Sequence, residues 1–276
     1  MQGVGLSRRV ELFTVPVDTL RLSESLDLAW ALFGTAPPGR PCLVLTPNPE
    51  LVMQAQRDPE LLAAARAADV ALADGVGVVW ALRRQGVRVP ERVTGVDFML
   101  RLLGLAAQHG TPVYLLGARP HVVAAAARRA VERFPGLQLV GAADGYFAAR
   151  GEEPEALRRV AASGAQLLLL GMGAPDQLRF LYRHRAEFGA VRLAMGVGGS
   201  LDVLSGLTAR APAGIRRLGL EWFWRLVHEP RRWRRQLALP RFAFAVLRAG
   251  RSAVRPGTRA VQVGGAGALD GATPGP

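Results

Sequence analysis

Short apolar runs alternate along most of this chain with longer stretches in which apolar residues recur at helical spacing. Cys42 to Thr46, Val70 to Ala73, Pro112 to Gly117, Leu137 to Val140, Gln166 to Leu170 and Arg192 to Met195 are short and mostly apolar, and read as buried strands. Val10 to Val17 reads as a further short strand. Between them, Ser23 to Phe33 reads as an amphipathic helix with Leu26, Trp30 and Phe33 on one side. Glu50 to Ala67, a segment from Val78, one from near Val96 and Pro120 to Arg133 also read as helices, and Pro175 is placed to open another. This strand, turn, helix repeat predicts an α/β fold: a Rossmann-like, mostly parallel sheet flanked by helices on both faces.

The turns carry the chemistry. In Val70 to Trp80, an apolar strand ends at Asp74, and Gly75 and Gly77 lead into a helix. Open α/β sheets place ligands at the carboxyl ends of their strands, so Asp74 is expected either to face a crevice or to cap the helix that follows. The prolines around Asn48 fix an extended loop that holds Thr46 and Asn48 at another strand end, unless this is a plain Asn/Pro turn. Arg92 is an anion clamp or a solvated arginine, and Tyr146 stacks on a base or covers the core. Glycine turns at Gly117, Gly171, Gly173, Gly196 and Gly198 offer backbone N–H groups and helix N-termini suited to phosphate.

Composition narrows the chemistry. The 276 residues fit one large domain, alone or with an appendage, and half of them are hydrophobic. All 35 basic residues are arginine, against 22 acids, so a Walker lysine is excluded. The dinucleotide fingerprint is incomplete in each glycine turn: Asp176 and Trp80 occupy its third glycine position in two of them. That argues against a nicotinamide-dependent dehydrogenase. There is no Asp-x-Asp pair, and the four histidines are scattered, so no metal and no cofactor are expected. Cys42, the one cysteine, is expected as a buried thiol. Neither a signal peptide nor a membrane-spanning run is evident, which suggests a cytoplasmic setting.

Near Ala209 the pattern changes. Arg210 to Arg255 holds 12 arginines against Glu221 and Glu229, interleaved with Trp and Phe. The mixture suits an anionic membrane surface, a nucleic acid or a solvated helix face. The expected organisation is a catalytic domain over 1–206, a basic helical appendage over 207–250 and a disordered, Gly- and Pro-rich tail over 251–276.

TPNPE, ADGVGVVWALR, ERVTGVDFM, YLLGA, DGYF, LLLLGMGAPDQ, GVGGSLDVLSG and RAPAGIRRLGLEWFWRLVHEPRRWRRQ occur here in one order. In these blocks, from Val10 to Leu239, the chain resembles the WecG/TagA/CpsF family of bacterial glycosyltransferases (glycosyltransferase family 26). The resemblance implies transfer of an N-acetylmannosamine-type sugar from a UDP donor to polyprenyl-diphosphate-linked N-acetylglucosamine. Inversion at the anomeric carbon and independence of metal are also implied. Another UDP-sugar, such as an N-acetylmannosaminuronate or glucose donor, is the alternative. By position, Asp74 matches the base, and Thr46, Asn48, Arg92 and Gln177 match the sugar and diphosphate pocket. Tyr146 and Asp202 match the nucleotide end, and Arg225, Arg232 and Arg235 match basic positions that complete the site. The partners implied are the UDP-sugar, the lipid-linked acceptor and the inner membrane face, without nucleic acid; a homo-oligomer stays open.

Overall fold

The computed structural model describes residues 9–208, 210–212, 214–215, 223–224, 226 and 238–257. Six strands form a parallel sheet: β3 (Cys42–Leu45), β4 (Val70–Ala71), β5 (Val113–Gly117), β6 (Leu139–Ala143), β7 (Leu167–Gly171) and β8 (Leu193–Gly196). Their order across the sheet is β4-β3-β8-β7-β5-β6, and every pairing is parallel. The predicted class is therefore the observed one.

Period-two alternation sends successive side chains to opposite faces, and both faces are covered. On one, Val44, Leu115, Leu169 and Met195 meet α1 (Leu22–Thr35), α5 (Gly95–Gln108), α6 (Pro120–Arg133) and α9 (Ser200–Leu204). On the other, Leu43, Leu116, Leu168 and Ala194 meet α7 (Glu153–Ala162) and α8 (Ala174–Arg183). On that same side Leu45 and Ala71 meet α2 (Pro49–Ala55), α3 (Pro59–Arg66) and α4 (Val76–Arg84). Cys42 is buried, and burial pushes its thiol pKa up.

Local chemistry moved several boundaries. The helix expected over Glu50 to Ala67 is two, because Asp58 accepts from the Leu61 N–H at 2.9 Å and Pro59 opens a new helix behind it. The strand expected over Val10 to Val17 is a hairpin of β1 (Arg9–Leu12) and β2 (Val15–Asp18). Its turn residues, Phe13 and Thr14, both have positive φ (47° and 69°), a strained choice for non-glycine residues. Phe13 donates its N–H to the Ala253 carbonyl and sets its ring edge-on to Phe242, which holds the turn from outside.

Within the expected appendage, α10 (Ala238–Ala249) packs on α2 and α4 and buries Phe242 and Val246 in their core. Beyond it, β9 (Val254–Pro256) pairs antiparallel with β1, so a strand falls inside the stretch read from composition as a disordered tail.

Candidate active site

The carboxyl ends of β3, β4, β7 and β8 surround a cavity of about 550 Å³. Thr46, Asn48, Asp74, Gly75, Arg92, Gln177 and Gly198 all line it, from segments far apart in sequence.

Asp74 leaves β4 and points across the cavity to α5. Its Oδ2 accepts the Gly95 N–H at 3.1 Å, the first amide of that helix. The helix following Asp74 has Gly75 at its N-cap, with no side-chain cap. The carboxylate therefore does not cap its own helix; it is anchored to the positive end of another. The contact is tight: a Cβ on Gly95 would come within 3.0 Å of Thr46 Cγ2 and 3.4 Å of Asp74 Oδ2, so glycine is what lets the three meet. The Val93 N–H donates to the Ala73 carbonyl, which fixes the Arg92 to Thr94 loop beside the same strand end. Thr94 caps α5 through the Asp97 N–H and donates its hydroxyl to Asp97 Oδ2 at 2.6 Å. Asp97 in turn meets Arg210 at 2.7 Å.

Asn48 caps α2 by accepting the Leu51 N–H at 2.8 Å. Its oxygen is committed there, and what it can offer a ligand is its NH₂ group. Gln177 is buried, and its Oε1 accepts from Gly198 at 2.9 Å and from Met172 at 3.4 Å, tying the turns after β7 and β8 together. A Cβ on Gly196 would come within 2.7 Å of the Gln177 amide. Gly171 is needed for the same reason beneath Leu201, and Gly173 is the N-cap of α8. The amino ends of α4 and α8 lack side-chain caps, and Gly75, Gly77 and Ala174 place them on the cavity wall. Uncapped N–H groups and aligned helix dipoles favour an anion there.

Gly117, Tyr146 and Asp202 lie elsewhere on the rim. Gly117 ends β5 at φ 121° against Gly171, where a side chain would collide. Tyr146 is half exposed on the loop after β6, and Asp202 stands 3.8 Å from Arg119 at the start of α6. None of the three lines the cavity. Arg225, Arg232 and Arg235 lie outside the described residues. Sequence reading missed Thr94 and Gly95, whose place beside Asp74 depends on how α5 docks, and Trp80 and Leu239, which read as ordinary helix residues; Phe242 read as one of the aromatics of the Arg-rich stretch. Among the described residues, no three His, Cys, Asp or Glu side chains are grouped to hold a metal ion.

The model of the glycosyl transferase WecG/TagA/CpsF family matches residues 10–256. An N-acetylglucosaminyldiphosphoundecaprenol N-acetyl-beta-D-mannosaminyltransferase of Bacillus spizizenii is 36% identical over 213 residues, covering 77% of this chain and 81% of the relative. An enzyme of the same description from Bacillus subtilis is 32% identical over 206 residues, covering 75% and 79%.

Proposed function

The chain belongs to the WecG/TagA/CpsF family of glycosyltransferases, and from that premise we propose that it moves an N-acetylmannosamine-type sugar from UDP to N-acetylglucosamine on a polyprenyl diphosphate. The observation that carries the reading is Asp74, a carboxylate anchored by one helix amide on the wall of a cavity ringed by Thr46, Arg92 and Gln177. In this reading Asp74 takes the proton from the acceptor hydroxyl as that oxygen bonds to the anomeric carbon. The bond from that carbon to the UDP oxygen breaks on the opposite face, so configuration inverts and UDP departs with the electron pair. Arg92 and the uncapped starts of α4 and α8 offset the charge that develops on the diphosphate, which supports a metal-independent reaction. Tyr146 and Asp202, on the neighbouring part of the rim, suit the nucleotide end of the donor.

The lipid-linked acceptor requires work at a membrane face. No helix among the described residues is long and apolar enough to cross a membrane, and peripheral contact through the Arg-rich stretch fits that.

The test is transfer by the purified full chain. UDP-N-acetylmannosamine and lipid-linked N-acetylglucosamine should yield UDP and a disaccharide lipid of inverted anomeric configuration by NMR, at the same rate in excess EDTA. Transfer only from a uronate or glucose donor would move the substrate to the alternative, and loss on chelation restored by Mg²⁺ would end the metal-free mechanism.

A further inference from the structure

The cavity has two chemically different walls. Thr46, Asp74, Arg92 and Gln177 form the polar one. Beside it, α4 contributes Val76, Gly77 and Trp80, and α10 contributes Leu239, Phe242 and Ala243. On α4 these are positions i, i+1 and i+4, and on α10 positions i, i+3 and i+4, so each helix turns one apolar stripe to the shared space. The stripes line a groove, and at Gly77 both α2 and α10 come close to α4. A Cβ there would come within 2.7 Å of Pro49 and 3.7 to 3.8 Å of Phe242 and Leu239. Trp80 keeps 39% of its surface exposed on this wall. The stripe on α10 also continues outward: Leu247, 53% exposed, follows Leu239 and Ala243 at i+8 and i+4.

A nucleotide sugar has little use for such a wall. One ring can stack on a sugar and the amides that open α4 can meet a phosphate, but the side chains of Leu239, Val76 and Ala243 reward only hydrocarbon. The relatives act on a diphosphoundecaprenol, whose hydrocarbon begins where its diphosphate ends. We propose that the α4–α10 groove receives the first isoprene units of the acceptor lipid, with the diphosphate and sugar turned toward Asp74. This deepens the glycosyl-transfer reading and rests on it. Holding the tail fixes the distance from lipid to reacting hydroxyl, so binding energy remote from the chemistry orients it. The rest of the chain stays in the bilayer.

The experiment uses the full-length protein in buffer without detergent or vesicles, with UDP-N-acetylmannosamine and N-acetylglucosaminyl diphosphate esterified to methyl or to farnesyl. The quantity read is the ratio of kcat/KM for the farnesyl acceptor to that for the methyl acceptor. Burial of a few isoprene carbons should make this ratio about ten or more in the unmodified enzyme. Trp80→Ala, which removes a wall, and Ala243→Trp, which fills the groove, should each lower it about tenfold, chiefly through KM. A ratio near one in the unmodified enzyme, or an equal loss on both acceptors in the variants, overturns the groove. So does a farnesyl preference that appears only with added phosphatidylglycerol vesicles, because the groove would then hold bilayer lipid. If the unmodified enzyme transfers to neither acceptor, the glycosyl-transfer reading fails, and the groove is decided by binding. A blue shift of Trp emission on adding the farnesyl but not the methyl acceptor, lost in Trp80→Ala, would uphold it, and no shift would end it.

Discussion

The two ends of β4 carry the same residue and use it in opposite ways. Asp69 stands at the amino end. Its N–H donates to the Leu43 carbonyl, its Oδ2 accepts the Leu43 N–H at 3.0 Å and faces Arg185, and its carbonyl accepts from Arg9. Arg9 is itself bound through two bonds to Asp18, and that pair is almost wholly buried. Asp74 stands at the carboxyl end, where it accepts the Gly95 amide of α5 and is set on a cavity wall. A parallel strand has inequivalent ends. At the first, the neighbouring strand and loops close over a carboxylate and make it part of the frame; at the second, helix N-termini diverge and leave a space that a substrate can enter.

The sharpest way to break this comparison is Asp74→Asn. Turnover should fall about 10²–10⁴-fold, the usual worth of a general base, while the melting temperature and UDP affinity stay close to those of the unmodified enzyme. Retention of more than half the activity would make Asp74 as architectural as Asp69. The converse change, Asp18→Ala, leaves Arg9 as an uncompensated buried charge and should cost about 3–5 kcal/mol in denaturant unfolding. The molecules that remain folded should turn over normally; a specific loss of kcat would show that the frame and the site are not separate.

Asn48 sits between the two roles and can divide them. Asn48→Ala should lose about 1 kcal/mol with the α2 cap, together with activity. Asn48→Asp restores the cap but not the NH₂ donor, so stability should return and turnover should not. The smallest effect belongs to the α3–α8 contact. Hydrogen bonds from Arg179 and Arg183 hold Asp58 and Glu60 below their ordinary pKa values. Their stabilisation is therefore present above the ordinary carboxylate range and lost as pH falls through the lowered values. Arg179→Leu should lower stability slightly near neutrality and converge with the unmodified protein at acid pH, which flattens the acid limb of a stability–pH profile.

The place of Asp74 on the cavity wall was legible because apolar run, acid, glycine and helix start are adjacent in sequence, and chain direction says which end of a strand opens to the crevice. Asp69 opens the same run, yet nothing nearby shows its role, since Leu43, Arg9 and Arg185 are distant along the chain. The strands were legible for a similar reason: Leu167 to Leu170 are apolar on both faces, as a doubly covered strand requires. The split of α2 from α3 was missed although Asp58-Pro59 announces it, because the helical periodicity runs across the break. The α10 wall was masked by composition: an Arg-rich neighbourhood drew attention to charge, while Leu239, Phe242 and Val246 did the packing.

The pairing of β9 with β1 changes what kind of object the Arg-rich stretch is. It enters from Ala211, which is buried, and returns through α10 to a strand hydrogen-bonded beside the hairpin. Ala211 before it, and α10 and β9 behind it, are all fixed to the core, so the chain is held on both sides of the stretch. A single protease cut between 213 and 237 should therefore release no fragment, because the two pieces remain joined through Phe242, Val246 and β9. By the same logic, ending the chain at 206 would strip Phe242, Val246 and β9 from the core as well as removing the charge.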